Sequence, residues 1–114
     1  MKKGRRDFTR LPFVMLPKSI ILGPDCSAWW SLPPGARDIY IMLKAAFNGS
    51  NNGSIFLYYS EISKRRIKGL QSDKAISLAF KKLEADGWIK RTRIGGLYRF
   101  KNAYELTGKF DRLV

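Results

Sequence analysis

The sequence predicts a small α+β domain, and three observations predict it. Apolar residues recur at helical spacing in two long stretches, about Pro34 to Phe47 and Asp73 to Asp86. A tract of Asn, Gly and Ser, NGSNNGS at 48–54, interrupts the chain between them. After Gly87 the pattern changes to two β-prone runs, Trp88–Ile94 and Leu97–Lys101, joined by the hairpin-turn dipeptide Gly95-Gly96. With 114 residues, 45% of them hydrophobic and 13% aromatic, the chain suffices for one domain around one core.

Residues 1–10 are polar and basic and read as a flexible arm. Residues 11–33 read as an extension packed on the core. Its first part, LPFVMLPKSIIL, is apolar but cut by Pro12 and Pro17, which favours extended backbone. In PDCSAWWSLPPG, Asp25 is placed to cap a short helical turn holding Trp29 and Trp30, and Pro33-Pro34-Gly35 ends it. The two Trp read as core packing that fastens the extension to the first long helix; stacking on single-stranded bases is the alternative.

Pro34 suits a first-turn position, and Ile39, Leu43 and Ala46, with Ala36, Met42 and Phe47, form the apolar stripe of that helix. In the loop, Gly49, Asn52 and Gly53 tolerate positive φ. Ile55-Phe56-Leu57 is a short strand. A second helix is expected from about Tyr59 to Ile67, with Ile62 inward and Lys64, Arg65 and Arg66 mostly outward; Gly69 lets the chain turn. Ser72 is a good N-cap for the helix that follows, with Asp73 in its first turn and Gly87 as its closing glycine. A short third strand at Tyr104–Leu106 and a tail at 108–114 complete the chain.

Charge narrows the function. There are 22 Lys+Arg against 9 Asp+Glu, a net +13. From Lys64 to Lys101 twelve bases face only Asp73, Glu84 and Asp86, a local +9, and the first ten residues add +4. The stretch from Leu11 to Ser63 is balanced. Basic charge gathered on one part of a small domain marks a polyanion partner, nucleic acid above all.

Enzyme chemistry finds little to work with. The chain has no His, which removes Ser-His, Cys-His and His-metal arrangements, and a lone Cys26 makes neither an internal disulfide nor a Cys-rich zinc site. Pro24-Asp25 could open a nuclease motif, but no acid is followed two positions later by Lys. Glu84 and Asp86, the close acidic pair, should point to different faces, and no Gly-x-x-x-x-Gly-Lys-Ser/Thr loop is present. We therefore expect no enzyme, no metal and no cofactor. The apolar runs Phe13–Leu16 and Ile39–Leu43 are far too short to span a membrane, and charged and proline residues interrupt any leader-like segment near the start. A reduced, cytoplasmic setting is expected.

The order helix, short strand, helix, turn, helix, two-stranded hairpin is that of a winged helix-turn-helix domain, here at 34–107. From about Leu32 to Thr107 the chain resembles a winged helix-turn-helix family of bacterial prophages, plasmids and integrated elements, whose members are regulatory or replication-type proteins. The residues that carry the resemblance are NGSNNGSIFLYYSEIS, SDKAISLAFKKLEADGWI, the Gly-Gly turn and the closing YELT. Leu83-Glu84-Ala85-Asp86-Gly87-Trp88-Ile89 is an ending common to many winged helices; the Asn-Asn-Gly loop is narrower in distribution. One departure is Tyr58, which stands where members place a capping Ser or Thr; Ser60 is the next residue able to cap. The resemblance implies a sequence-specific transcriptional regulator or replication accessory factor of a mobile element. A chain ending just after the domain favours a small regulator or accessory protein over a full initiator.

In such a domain the helix at 73–86 enters the major groove of double-stranded DNA. At 100° per residue, Ile76, Ala79, Phe80 and Leu83 form its inward stripe, and Lys74, Ser77, Leu78 and Lys81 lie opposite, with Lys82 at the edge. Lys74 and Lys81 suit guanine acceptors or phosphates, Ser77 suits either, and Leu78 suits a thymine methyl or a protein partner. Gln71 and Ser72 stand at the helix start, where backbone N–H groups favour phosphate. Lys64, Arg65, Arg66 and Lys68 suit phosphate contacts, or else ordinary surface charge with a Glu61–Arg65 pair. In the hairpin, Arg91 and Arg93 should share one side of the first strand, and Arg99 and Lys101 one side of the second, against the DNA backbone; a charged, soluble strand edge is the rival reading. The arm residues Lys2, Lys3, Arg5 and Arg6 add non-specific affinity. A palindromic site would call for two copies on the DNA, though no heptad is visible. A protein-interaction adaptor built on the same scaffold is the alternative function.

Overall fold

The computed structural model describes residues 13–24, 26–93 and 102–114. Within them the chain forms five helices and a three-stranded antiparallel sheet, a mixed α+β arrangement. The helices are α1 (Lys18–Ile21), α2 (Cys26–Trp30), α3 (Pro34–Ala46), α4 (Tyr59–Ser63) and α5 (Asp73–Ala85). The strands are β1 (Ile55–Phe56), β2 (Ile89–Arg93) and β3 (Ala103–Leu106), in the order β1-β3-β2.

α3 starts where the sequence places it because Pro34 needs no hydrogen-bond partner for its missing N–H. It buries Ala36, Ile39, Tyr40 and Leu43 against α5, which presents Ile76, Ala79, Phe80 and Leu83. α5 is held at both ends. The Ser72 hydroxyl accepts a hydrogen bond from the Ala75 N–H at 3.1 Å, a cap worth about 1 kcal/mol. At the other end Gly87, at φ +86°, lets its own N–H reach the Glu84 carbonyl while the Trp88 N–H reaches that of Leu83. This paired closure needs a left-handed residue, which favours glycine.

Three expectations change. The end of the segment predicted to be extended winds into α1, with Pro17 before its first turn, while residues 13–17 form no helix. The second helix stops at Ser63 rather than Ile67; Lys64 to Arg66 form a turn that ends with Arg66 at φ +54°. Tyr58, not Ser60, precedes α4, and no side chain caps that end. The proposed cap Asp25 lies outside the described residues.

The sheet also differs from the sequence reading. β2 pairs with Ala103–Leu106, from Ile89↔Leu106 to Arg93↔Ala103, with an irregularity between Arg91 and Arg93. The segment read as a short third strand is therefore the central strand, bonded to β1 on its other side through Ile55↔Tyr104 and Phe56↔Ala103. The Gly95-Gly96 turn and the strand expected at Leu97–Lys101 lie outside the described residues.

The Asn/Gly/Ser loop is built by its side chains. Gly49 and Gly53 take positive φ, but Asn52 does not. Asn52 instead donates its amide to the Leu106 carbonyl at 3.0 Å and accepts the Leu106 N–H at 2.7 Å, so a side chain extends the sheet where β1 has not yet begun. Asn51 donates to the Ala46 carbonyl at the end of α3, at 2.9 Å.

Two aromatic clusters close the core. Tyr59, Phe80 and Tyr104 stack in sequence, with centroids 5.8 and 4.7 Å apart, joining α4, α5 and β3. Trp29, Tyr40 and Trp88 meet edge to face at 5.2–5.9 Å, and Phe110 lies 4.6 Å from Trp88. Trp29 thus fastens the extension to α3 as expected, whereas Trp30 is 53% exposed, under the Arg37 guanidinium. The residues after β3 also pack. Asp111 is buried and forms a 2.8 Å ion pair with Lys44, a residue that in the sequence is only one charge of a balanced stretch. Tyr40 donates to the same carboxylate at 2.6 Å. Burial, then this bond, pushes the Tyr40 hydroxyl far above its ordinary pKa.

Candidate nucleic-acid interface

The outward face of α5 is a cationic stripe. Helical geometry sets Lys74, Ser77, Leu78 and Lys81 within a sector of about 100°, opposite the buried Ile76, Phe80 and Leu83. Lys74, Lys81 and Leu78 are exposed and Ser77 is half-buried. Neither lysine enters an ion pair with any described residue. Lys82, at the stripe's edge, is tied instead to Asp86 at 3.3 Å.

Ahead of the helix, Lys64, Arg66, Lys68, Gln71 and Ser72 are all exposed. Ser63, Lys64, Arg66 and Gln71 surround a polar cleft of about 510 Å³, so the turn brings two cations and an amide together beside the start of α5. Lys64, Arg66 and Lys68 have no ion pair among the described residues. Arg65 does not pair with the Glu61 carboxylate; its guanidinium donates to the Glu61 backbone carbonyl one turn back. The Ser72 oxygen is taken by the helix cap.

The hairpin is where the sequence reading needs most correction. Arg91 faces inward with Ile89, and its guanidinium bonds the Glu84 carboxylate at 2.8 Å, each side chain about one-quarter exposed. This hydrogen bond raises the pKa of Arg91 above its ordinary value, so the group is a fixed charge tying β2 to α5. Glu84 and Asp86 do point to different faces, one to Arg91 and one to Lys82. Arg93, beyond the irregularity, is exposed. The outward cation of β2 that sequence reasoning misses is Lys90. Alternation would have found it, because an inward Ile89 puts Lys90 out and Arg91 in. Arg99, Lys101, Lys2, Lys3, Arg5 and Arg6 lie outside the described residues.

On the flank of α5 away from Glu84 runs an apolar groove of about 700 Å³. The start of α3 (Pro33 to Ala36), the turn (Ile67 to Leu70) and α5 (Ala75, Leu78 and Ala79) line it, with Asp38 and Lys68 its charged residues. Among the described residues no group of His, Cys, Asp or Glu could hold a metal ion, and no helix is long and apolar enough to cross a membrane. Comparison with protein-family models, curated proteins and solved structures gives no match.

Proposed function

We propose that this chain is a winged helix-turn-helix protein that binds duplex DNA, with α5 in the major groove and the β2-β3 hairpin against the flanking backbone. The order helix, strand, helix, turn, helix, hairpin supports this reading, as does a sheet whose central strand is its last. The observation that carries it is the pair Lys74 and Lys81, exposed on one sector of α5 beside the cations of the preceding turn and without an ion pair among the described residues. Such a face suits base edges with phosphates around them. A role as a sequence-specific regulator or replication accessory factor of a mobile element is the biological form of this proposal, and it rests on the family resemblance alone.

The test is fluorescence anisotropy on random duplex and on the DNA upstream of the gene, from about 50 to about 200 mM salt. Upstream DNA should stay bound at salt concentrations that release random duplex. The double variant Lys74→Ala/Lys81→Ala should lower that preference by about tenfold or more. Equal, salt-labile binding to both DNAs by parent and variant would refute the specific reading. The apolar groove favours a second reading, a protein-interaction adaptor. Its mark would be a partner whose capture survives loss of Lys74 and Lys81 but not a bulky residue at Ala75.

A further inference from the structure

We infer that Leu78 determines sequence specificity by meeting the 5-methyl group of a thymine at the floor of the major groove. The inference rests on the DNA-binding proposal and deepens it. Leu78 is 56% exposed on a helix whose other large apolar side chains are buried. A single exposed leucine is ordinary on any protein surface. Its setting is what distinguishes it. Lys74 stands one turn before it and Lys81 one turn after, about 6 and about 4.5 Å away along the helix axis, in the same sector of the surface. Neither lysine has an ion pair among the described residues.

A covering partner must therefore satisfy an apolar group with a cation on either side. A protein surface packed over Leu78 would strip water from both ammonium groups or supply a carboxylate to each, and unpaired buried charge is costly. The major groove meets the need without that arrangement. It is about 12 Å wide, which admits a helix; phosphates line its rims; and the thymine methyl is the apolar group on its base edges. Ala75 and Ser77, the short neighbours of Leu78, leave it as the side chain that projects. Leu78 also forms one lip of the apolar groove, so contact with a protein there is the competing outcome.

The test uses the full chain. A random duplex pool is enriched on the parent protein, and each thymine of the enriched site is then replaced in turn by deoxyuridine, which pairs identically but lacks the methyl. One replacement should weaken binding about fourfold, the value for one buried methyl group. Leu78→Ala should bind thymine and uracil duplexes within about twofold of each other, while Leu78→Met, which keeps apolar reach, should retain the difference. Ala is favourable in an exposed helix position, so the variant should keep the parent's circular dichroism. If no uracil substitution matters, or Leu78→Ala keeps the full sensitivity, the inference is overturned and DNA binding stands. Leu78→Ala weakening both duplexes equally, with no methyl effect in the parent, would overturn it in favour of a protein contact or a packing role. No enriched site at all would remove both the inference and the specific DNA-binding reading beneath it.

Discussion

Replacing Asp111 with Ala should destabilise this protein more than any exposed substitution. Asp111 Oδ2 accepts from Lys44 Nζ at 2.8 Å and from the Tyr40 hydroxyl at 2.6 Å, and Oδ1 accepts from the Leu113 N–H at 2.9 Å. The Lys44 and Asp111 side chains are only 2% and 1% exposed. Without the carboxylate, the ammonium keeps one bond, 2.8 Å to the Leu113 carbonyl, and the Tyr40 hydroxyl is deprived of the acceptor it now uses. Breaking one side of a buried ion pair costs about 3–5 kcal/mol, and an orphaned hydroxyl adds about 1 kcal/mol. A total of about 4–6 kcal/mol is a large share of the roughly 5–15 kcal/mol that holds a small domain folded. At about 4 °C per kcal/mol, the thermal midpoint should fall by about 15–25 °C, read by circular dichroism with urea unfolding as a check. Lys44→Met with Asp111→Leu removes both charges and should recover most of the stability, since apolar residues replace buried pairs well. A midpoint for Asp111→Ala within about 5 °C of the parent would refute the energetic account of this pair.

Arg91→Ala should cost about 1–2 kcal/mol of stability through loss of the Glu84 bond and leave the salt dependence of DNA binding unchanged, because that guanidinium is already committed. Removing Lys64, Arg66 or Lys68 should instead flatten the log–log salt slope by about 0.9 for each phosphate no longer neutralised; a slope that moves with Arg91 and not with these would reverse the assignment. Asn52→Ala removes both bonds to the Leu106 backbone and should cost about 2–3 kcal/mol, measurable by urea titration. In a spectrophotometric titration, Tyr40 and Tyr104 should ionise above the ordinary range of a tyrosine. Burial pushes Tyr104 up to about 12, so the folded state favours its protonated form. Its contribution to stability should be whole below about pH 10 and fall as the pH rises from about 10 to about 12, and Tyr104→Phe should remove that contribution.

The helices are legible in the sequence because their signals are local. Pro34, Ser72 and Gly87 each act within one turn, and the period of Ile76, Ala79, Phe80 and Leu83 states the buried face of α5 without reference to anything else. The exposed Lys74, Leu78 and Lys81 follow from the same period. What escapes is decided at a distance. β2 pairs with Ala103–Leu106 because Trp88, Ile89, Tyr104 and Leu106 share one core, a fact of packing rather than of turn chemistry. Arg91 reads as a free cation because its partner Glu84 belongs to another element. In the sequence Lys44 is only one charge of a balanced stretch, because its partner Asp111 lies 67 positions further along. α4 ends early for a reason that composition hides: Lys64 to Arg66 are good helix formers, yet the chain turns there before Leu70 enters the core.

The ion pair between Lys44 and Asp111 also bears on when the molecule can finish folding. Both α3 and α5 are complete in the chain before Asp111 is reached. Packing at that stage would enclose the Lys44 ammonium without its counter-charge, at the same cost as losing Asp111. Asp111 removes that cost when it arrives, and Phe110 beside it covers Trp88. A chain stalled after Leu106 should therefore hold α3 on α5 less firmly than one that reaches Asp111.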